Sequence, residues 1–96
     1  MNLLVTYDVN TLTSAGRARL RKVAKICGGY GQRVQFSVFE CSVNEAQKET
    51  LRSRLVAVIK PGEDNLRIYT LRGQREDMVE TWGQDTYVNF KDPLIL

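Results

Sequence analysis

Helical periodicity occurs twice in this chain, each time bracketed by segments of β character, and that alternation limits the folds open to it. Asn2 to Val9 read as a strand, because Leu3, Val5, Tyr7 and Val9 alternate with Leu4, Thr6 and Asp8. Leu4 is apolar on the other parity, which predicts a central strand covered on both faces. Asn10 to Ser14 form a polar linker with N-cap candidates, and a helix is expected to follow to about Cys27. Its stripe is Leu20, Val23, Ala24 and Cys27, spaced i, i+3, i+4, i+7. Gly28-Gly29 should end it. Residues 32–43 are rich in β-formers, but Val38 and Phe39 are both apolar and the run is too long for one strand. A turn or bulge near Gln35–Ser37 resolves both problems.

Asn44 opens a second helix, and Gln47 three residues on completes a capping-box pattern. Leu51, Leu55, Val58 and Ile59 form its inner stripe, with Lys48, Glu49, Arg52 and Arg54 outward. Lys60-Pro61-Gly62 breaks the helix, and Leu66 to Leu71 is a further strand. Residues 76–84 show no clear period, Thr86 to Phe90 read as a short strand, and the chain closes on Pro93-Leu94-Ile95-Leu96. The order β-α-β-β-α-β points to a ferredoxin-like α+β sandwich, one domain over residues 1–96, with an extra C-terminal strand. An apolar end such as Leu94-Ile95-Leu96 would leave hydrophobic area and edge groups exposed on a monomer. Residues 85–96 are therefore expected to add a strand to a partner's sheet, making a homodimer.

Composition removes several chemistries. The chain contains no histidine, which excludes the usual zinc sets, the serine and cysteine triads and imidazole acid–base catalysis. Cys27 and Cys41 are not a CxxC pair and read as buried small hydrophobes in a reducing compartment. A metal would need oxygen ligands, which favours magnesium or manganese. No apolar run is long enough to span a bilayer, and Met1 to Val5 lack the basic start of a signal peptide. A cytoplasmic protein without a membrane partner is expected. Residues 1–62 hold ten Lys/Arg against four Asp/Glu, whereas residues 63–96 hold four against seven. The basic part could face a polyanion, although a plain solvated surface would look the same.

Three groups could carry chemistry. Asp8 stands at the end of the first strand, on the face opposite Tyr7; it could simply cap the next loop. One carboxylate is a poor site for a divalent cation, but two-fold symmetry would turn one Asp8 into a pair. The first helix carries Arg17, Arg19, Arg21, Lys22 and Lys25, either a solvated surface or a set of phosphate contacts. Arg33, Ser37, Phe39 and Glu40 form the third group; Phe39 is more often core than a base-stacking platform. Gly28-Gly29-Tyr30-Gly31 has neither the spacing nor the lysine of a phosphate-binding loop.

Several stretches resemble the second CRISPR-associated protein family. These are Tyr7-Asp8-Val9, then Tyr30-Gly31-Gln32-Arg33-Val34-Gln35 with Ser37-Val38-Phe39-Glu40-Cys41, then Leu66-Arg67-Ile68-Tyr69, and the ending Asp92-Pro93-Leu94-Ile95-Leu96. The resemblance implies a ferredoxin-like homodimer whose C-terminal strands complete the neighbour's sheet. It also implies a magnesium-dependent endonuclease, with the metal between two copies of Asp8 and manganese a possible substitute. The substrate would be single-stranded RNA or double-stranded DNA, and the partner a CRISPR integrase subunit during spacer acquisition. Arg17, Arg19 and Arg33 match positions the family uses for nucleic acid, with Tyr7, Ser37 and Phe39 beside the site. The other role left open is a non-catalytic dimeric adaptor that grips DNA between integrase dimers.

Overall fold

The computed structural model describes residues 1–88. It is an α+β structure with one four-stranded antiparallel sheet in the order β2-β3-β1-β4. The chain runs β1 (Asn2–Asp8), α1 (Ser14–Gly28), β2 (Gly31–Gln35), β3 (Val38–Ser42), α2 (Glu45–Val58), β4 (Asn65–Leu71) and a short α3 (Arg75–Met78).

The period-2 pattern of β1 decides the core. Leu3, Val5, Tyr7 and Val9 all point to one face and are buried, joined there by Phe39, Cys41 and Val43 from the β3 side. Val23 and Cys27 of α1 and Leu51 and Leu55 of α2 close this core from the helix side. The opposite parity is only half covered: Leu4, Thr6 and Glu40 are partly buried and Tyr69 is exposed. At roughly 1.5–3 kcal/mol for each large apolar side chain removed from water, the helix-covered face dominates the stability.

Burial also sets the chemistry of the two thiols. Cys27 and Cys41 are free and buried, and desolvation pushes Cys27 up to about 12 and Cys41 to about 11. Folded protein at pH 8 should therefore react with a thiol reagent at least about 100-fold more slowly than unfolded protein, since only the thiolate attacks. Absorbance titration before and after denaturant measures this directly. Fast labelling of the native chain would contradict the burial.

The helix ends follow local capping chemistry. The Thr13 hydroxyl accepts the Gly16 N–H at 3.0 Å. Asn44 and Gln47 form the full reciprocal box, at 2.8 and 2.9 Å. At its other end α1 closes on Gly29 in a right-handed conformation, so the glycine pair is not used there for a left-handed cap. In α2 the inner stripe shortens: Leu51 and Leu55 are buried, Val58 is half-buried, and Ile59 is already extended beyond the last turn.

The break expected in residues 32–43 is present. The β2–β3 register shifts between Arg33 and Gln35, and Phe36 and Ser37 make the turn. The short strand expected over Thr86 to Phe90 is not formed at Thr86–Val88, which are irregular. A side chain replaces the ladder there. Gln32 donates from Nε2 to the Val88 carbonyl at 2.6 Å and accepts the Val88 N–H at 2.8 Å. The remainder of that strand, and most of the expected segment 85–96, lies outside the described residues. Just before it, Arg75 crosses the open sheet face and pairs with Glu40 through both ends of its guanidinium, at 2.8 and 3.1 Å. The Tyr87 ring stacks on that guanidinium at 3.4 Å. No described helix is long and apolar enough to cross a membrane.

Candidate functional site at the end of the first strand

Asp8 is the last residue of β1 and is exposed, paired across the sheet with Asn65. Its carboxylate has no hydrogen-bond or ion-pair partner among the described residues. The acids of the adjoining loop are occupied: Asp64 by Arg19, and Glu63 by Lys60 and Arg19. An uncommitted carboxylate at a sheet rim is free to bind a cation or polarise a water. No cluster of three or more acidic, cysteine or histidine ligands exists among the described residues. One copy of Asp8 thus fits a hydrated magnesium ion, which keeps most of its waters and takes one or two carboxylates, but cannot enclose it.

The loop that follows Asp8 is fixed on several sides. Asn10 donates its backbone N–H to Asp64 Oδ1 at 3.1 Å, while its side-chain Oδ1 accepts the Leu12 N–H at 3.0 Å. Arg17 Nη1 donates to the Thr11 carbonyl at 3.1 Å. Gly16 presses against the Asn10 carbonyl, where a Cβ would overlap the oxygen.

The residues picked from the sequence fall into separate places. Tyr7, Arg33 and Phe39 come together: the Arg33 guanidinium lies 5.2 Å over the Phe39 ring, and Tyr7 and Phe39 stack with centroids 6.3 Å apart. The Tyr7 hydroxyl donates to the Phe36 carbonyl at 3.3 Å, and its backbone N–H to the Ser37 carbonyl at 3.1 Å. Burial pushes the Tyr7 phenol up, partly opposed by Arg33. Because Tyr7 and Asp8 face opposite ways along β1, this stack lies on the helix side of the sheet and Asp8 does not join it. Phe39 is only 3% exposed and serves as core, whereas Phe36 at the hairpin tip is 92% exposed. Arg17 lies by the Asp8 loop, its side chain otherwise exposed.

Arg19 is engaged inside the protein. Its Nε and Nη2 donate to Asp64 Oδ2 and Oδ1 at 2.8 and 3.1 Å, and Glu63 is 3.6 Å away. The Asp64 side chain is fully buried and also accepts the Lys60 N–H at 2.8 Å. Sequence reasoning did not single out Asp64; only its place in the loop after Pro61-Gly62, just before β4, hints at it.

The Arg19 guanidinium, aided by the Lys60 and Asn10 N–H groups, holds the Asp64 carboxyl down at about 2. Against an unfolded value of about 3.9, a depressed native value adds stability that is complete above the unfolded pKa and disappears as pH falls through the native one. The thermal midpoint should thus drop between about pH 4 and pH 2, and Asp64→Asn should flatten that limb. Midpoints measured across this range in wild type and variant check it; parallel curves would contradict the assignment.

These features define an α+β protein of one four-stranded antiparallel sheet, with a basic first helix and an exposed carboxylate at the end of its central strand β1. The family profile described as CRISPR associated protein Cas2 matches residues 1–79. The "CRISPR-associated endoribonuclease Cas2 1" of Moorella thermoacetica is 52% identical over 96 residues, covering 100% of both chains. The "CRISPR-associated endonuclease Cas2" of Halalkalibacterium halodurans is 47% identical and covers 99% of each. The crystal structure of Streptococcus pyogenes Cas2 at pH 6.5 superposes with a TM-score of 0.77 at 54% identity, over 86% of this chain and 100% of that one. The chain belongs to the CRISPR-associated Cas2 family.

Proposed function

We propose that this chain is a metal-dependent endonuclease of the CRISPR adaptation machinery, acting as a ferredoxin-like homodimer in the cytoplasm. The observation that carries this is the exposed carboxylate of Asp8 at the end of β1, which has no partner among the described residues. The names of the relatives, endoribonuclease and endonuclease, support the same chemistry. In the dimer the two Asp8 carboxylates would meet at the symmetry axis and hold Mg²⁺, or Mn²⁺ in its place. The ion would supply Lewis acidity at the scissile phosphate and would ease deprotonation of a water, a task for which a chain without histidine has no imidazole base. Arg17 and Arg33, both exposed, would hold the phosphate backbone on either side. Residues 85–96 would complete the partner's sheet. A magnesium-titrated cleavage assay on single-stranded RNA and on duplex DNA, beside an Asp8 variant, tests the proposal; metal-independent cutting would remove it.

A second role is favoured by the exposed cations Arg21, Lys22, Lys25 and Arg54 on α1 and α2. They suit a dimeric adaptor that grips duplex DNA between integrase subunits through phosphate contacts. Spacer acquisition that continues unchanged with the Asp8 variant would favour that role over cleavage.

A further inference from the structure

Asp64 is the point where four parts of the fold are tied. Its carboxylate accepts the Asn10 N–H just beyond β1, the Lys60 N–H at the exit of α2, and the Nε–H and Nη2–H of Arg19 on α1. The residue after it, Asn65, starts β4 and is the register partner of Asp8. Beyond the Asp8–Asn65 pair the two strands diverge, and the Asp64 carboxylate closes that fork one residue past Asn65 and two past Asp8. The Asp64 side chain is covered by the groups it bonds and Arg19 is 16% exposed, so the contact lies near the surface but is held by four hydrogen bonds at once.

We propose that Asp64 and Arg19 are positioning residues for Asp8: together they fix where the strand-end carboxylate stands, and Arg19 acts through Asp64 rather than by touching a phosphate. This rests on Asp8 being the metal-holding group. Loosening the fork lets the β1 end shift relative to β4, and displacements near 1 Å are enough to slow a positioned reaction about 100-fold. Nucleic acid affinity is untouched, because neither group faces the substrate.

The test compares full-length wild type with Asp64→Asn, Arg19→Gln, the double variant and Asp8→Asn, at a temperature where circular dichroism shows each fully folded. Three quantities are read: Mg²⁺-dependent cleavage kinetics on a single-stranded RNA, the salt dependence of binding that RNA, and the ¹⁵N–¹H signals of Asn10 and Lys60. Asp64→Asn and Arg19→Gln should each lower kcat about 10- to 100-fold with KM nearly constant. The double variant should be no worse than either single change, as for two members of one contact. The Asn10 and Lys60 amides should shift and exchange faster in all three variants. A phosphate contact at Arg19 predicts the opposite pattern: the salt slope falls by about one in Arg19→Gln, and Asp64→Asn binds and cleaves normally. That pattern overturns the proposal, as do unmoved Asn10 signals. Should Asp64→Asn not fold, Arg19→Gln alone reports kcat, slope and amides. Wild-type cleavage by Asp8→Asn would instead sink the nuclease proposal itself. An inactive Asp8→Asn beside fully active Asp64→Asn and Arg19→Gln would sink only the positioning role.

Discussion

Asp8→Asn is expected to abolish metal-dependent cleavage while leaving the melting temperature within a degree or two of wild type. Asparagine keeps the backbone register with Asn65 and the side-chain volume, and removes only the charge. In the native chain that charge is exposed and has no partner among the described residues, so the folded state loses nothing measurable. On the proposed role, the transition state would lose its hold on a divalent cation, which is worth several kcal/mol, or about 100- to 1,000-fold and more in rate. In a dimer both copies are altered at once. Cleavage of RNA and DNA by matched amounts of variant and wild type, with sedimentation to show an unchanged assembly, measures the effect. A variant retaining even a tenth of the activity would point away from a carboxylate-bound metal.

Gly16→Ala should destabilise the chain by about 1–3 kcal/mol or more, the cost typical of overpacking against an unyielding neighbour. Helix propensity alone predicts the opposite sign, since alanine exceeds glycine by about 1 kcal/mol within a helix. Space decides the matter. Gly16 is buried in the first turn of α1, and a Cβ there would overlap the Asn10 carbonyl oxygen and sit 3.0 Å from its carbon. The obstacle is backbone, and it cannot rotate aside: Asn10 is held by Asp64 through its N–H and braces Leu12 through its side chain. Either the loop lifts or the helix does, so Gly16→Ala should impair cleavage as well as stability. Denaturant unfolding with an unchanged m-value checks the first part. A stabilised variant would show that the helix start yields more readily than this packing allows.

Much of the fold was legible because its signals are local. Period-2 burial in β1, the Asn44–Gln47 box and the clash between Val38 and Phe39 each follow from neighbours within a few residues, and each element formed where those signals lay. The helix end at Gly29 and the short reach of the α2 stripe depend on packing from other elements, which no window of sequence contains. The site divides in the same way. Asp8 is recognisable by its place at a strand end. Arg19 looks like its neighbours Arg17 and Arg21, and only the fold, by bringing Asp64 across 45 positions of chain, assigns it to the interior. Phe39 takes the core position its residue type favours, while the register shift after Arg33 leaves Phe36 exposed at the turn.

That register shift also bears on how the chain can be lengthened or spliced. Within β2, Gly31–Gln35, one residue more or fewer would slide its pairing with β3 and exchange the inward and outward side chains of β2. Gly31 adds a second restriction, since a Cβ there would come within 2.6 Å of Cys41 Sγ. Tags, fluorescent fusions or natural insertions therefore have little room in that hairpin, and the glycine turn at Gly73 or the exposed stretch around Gly83 offers far better points of entry.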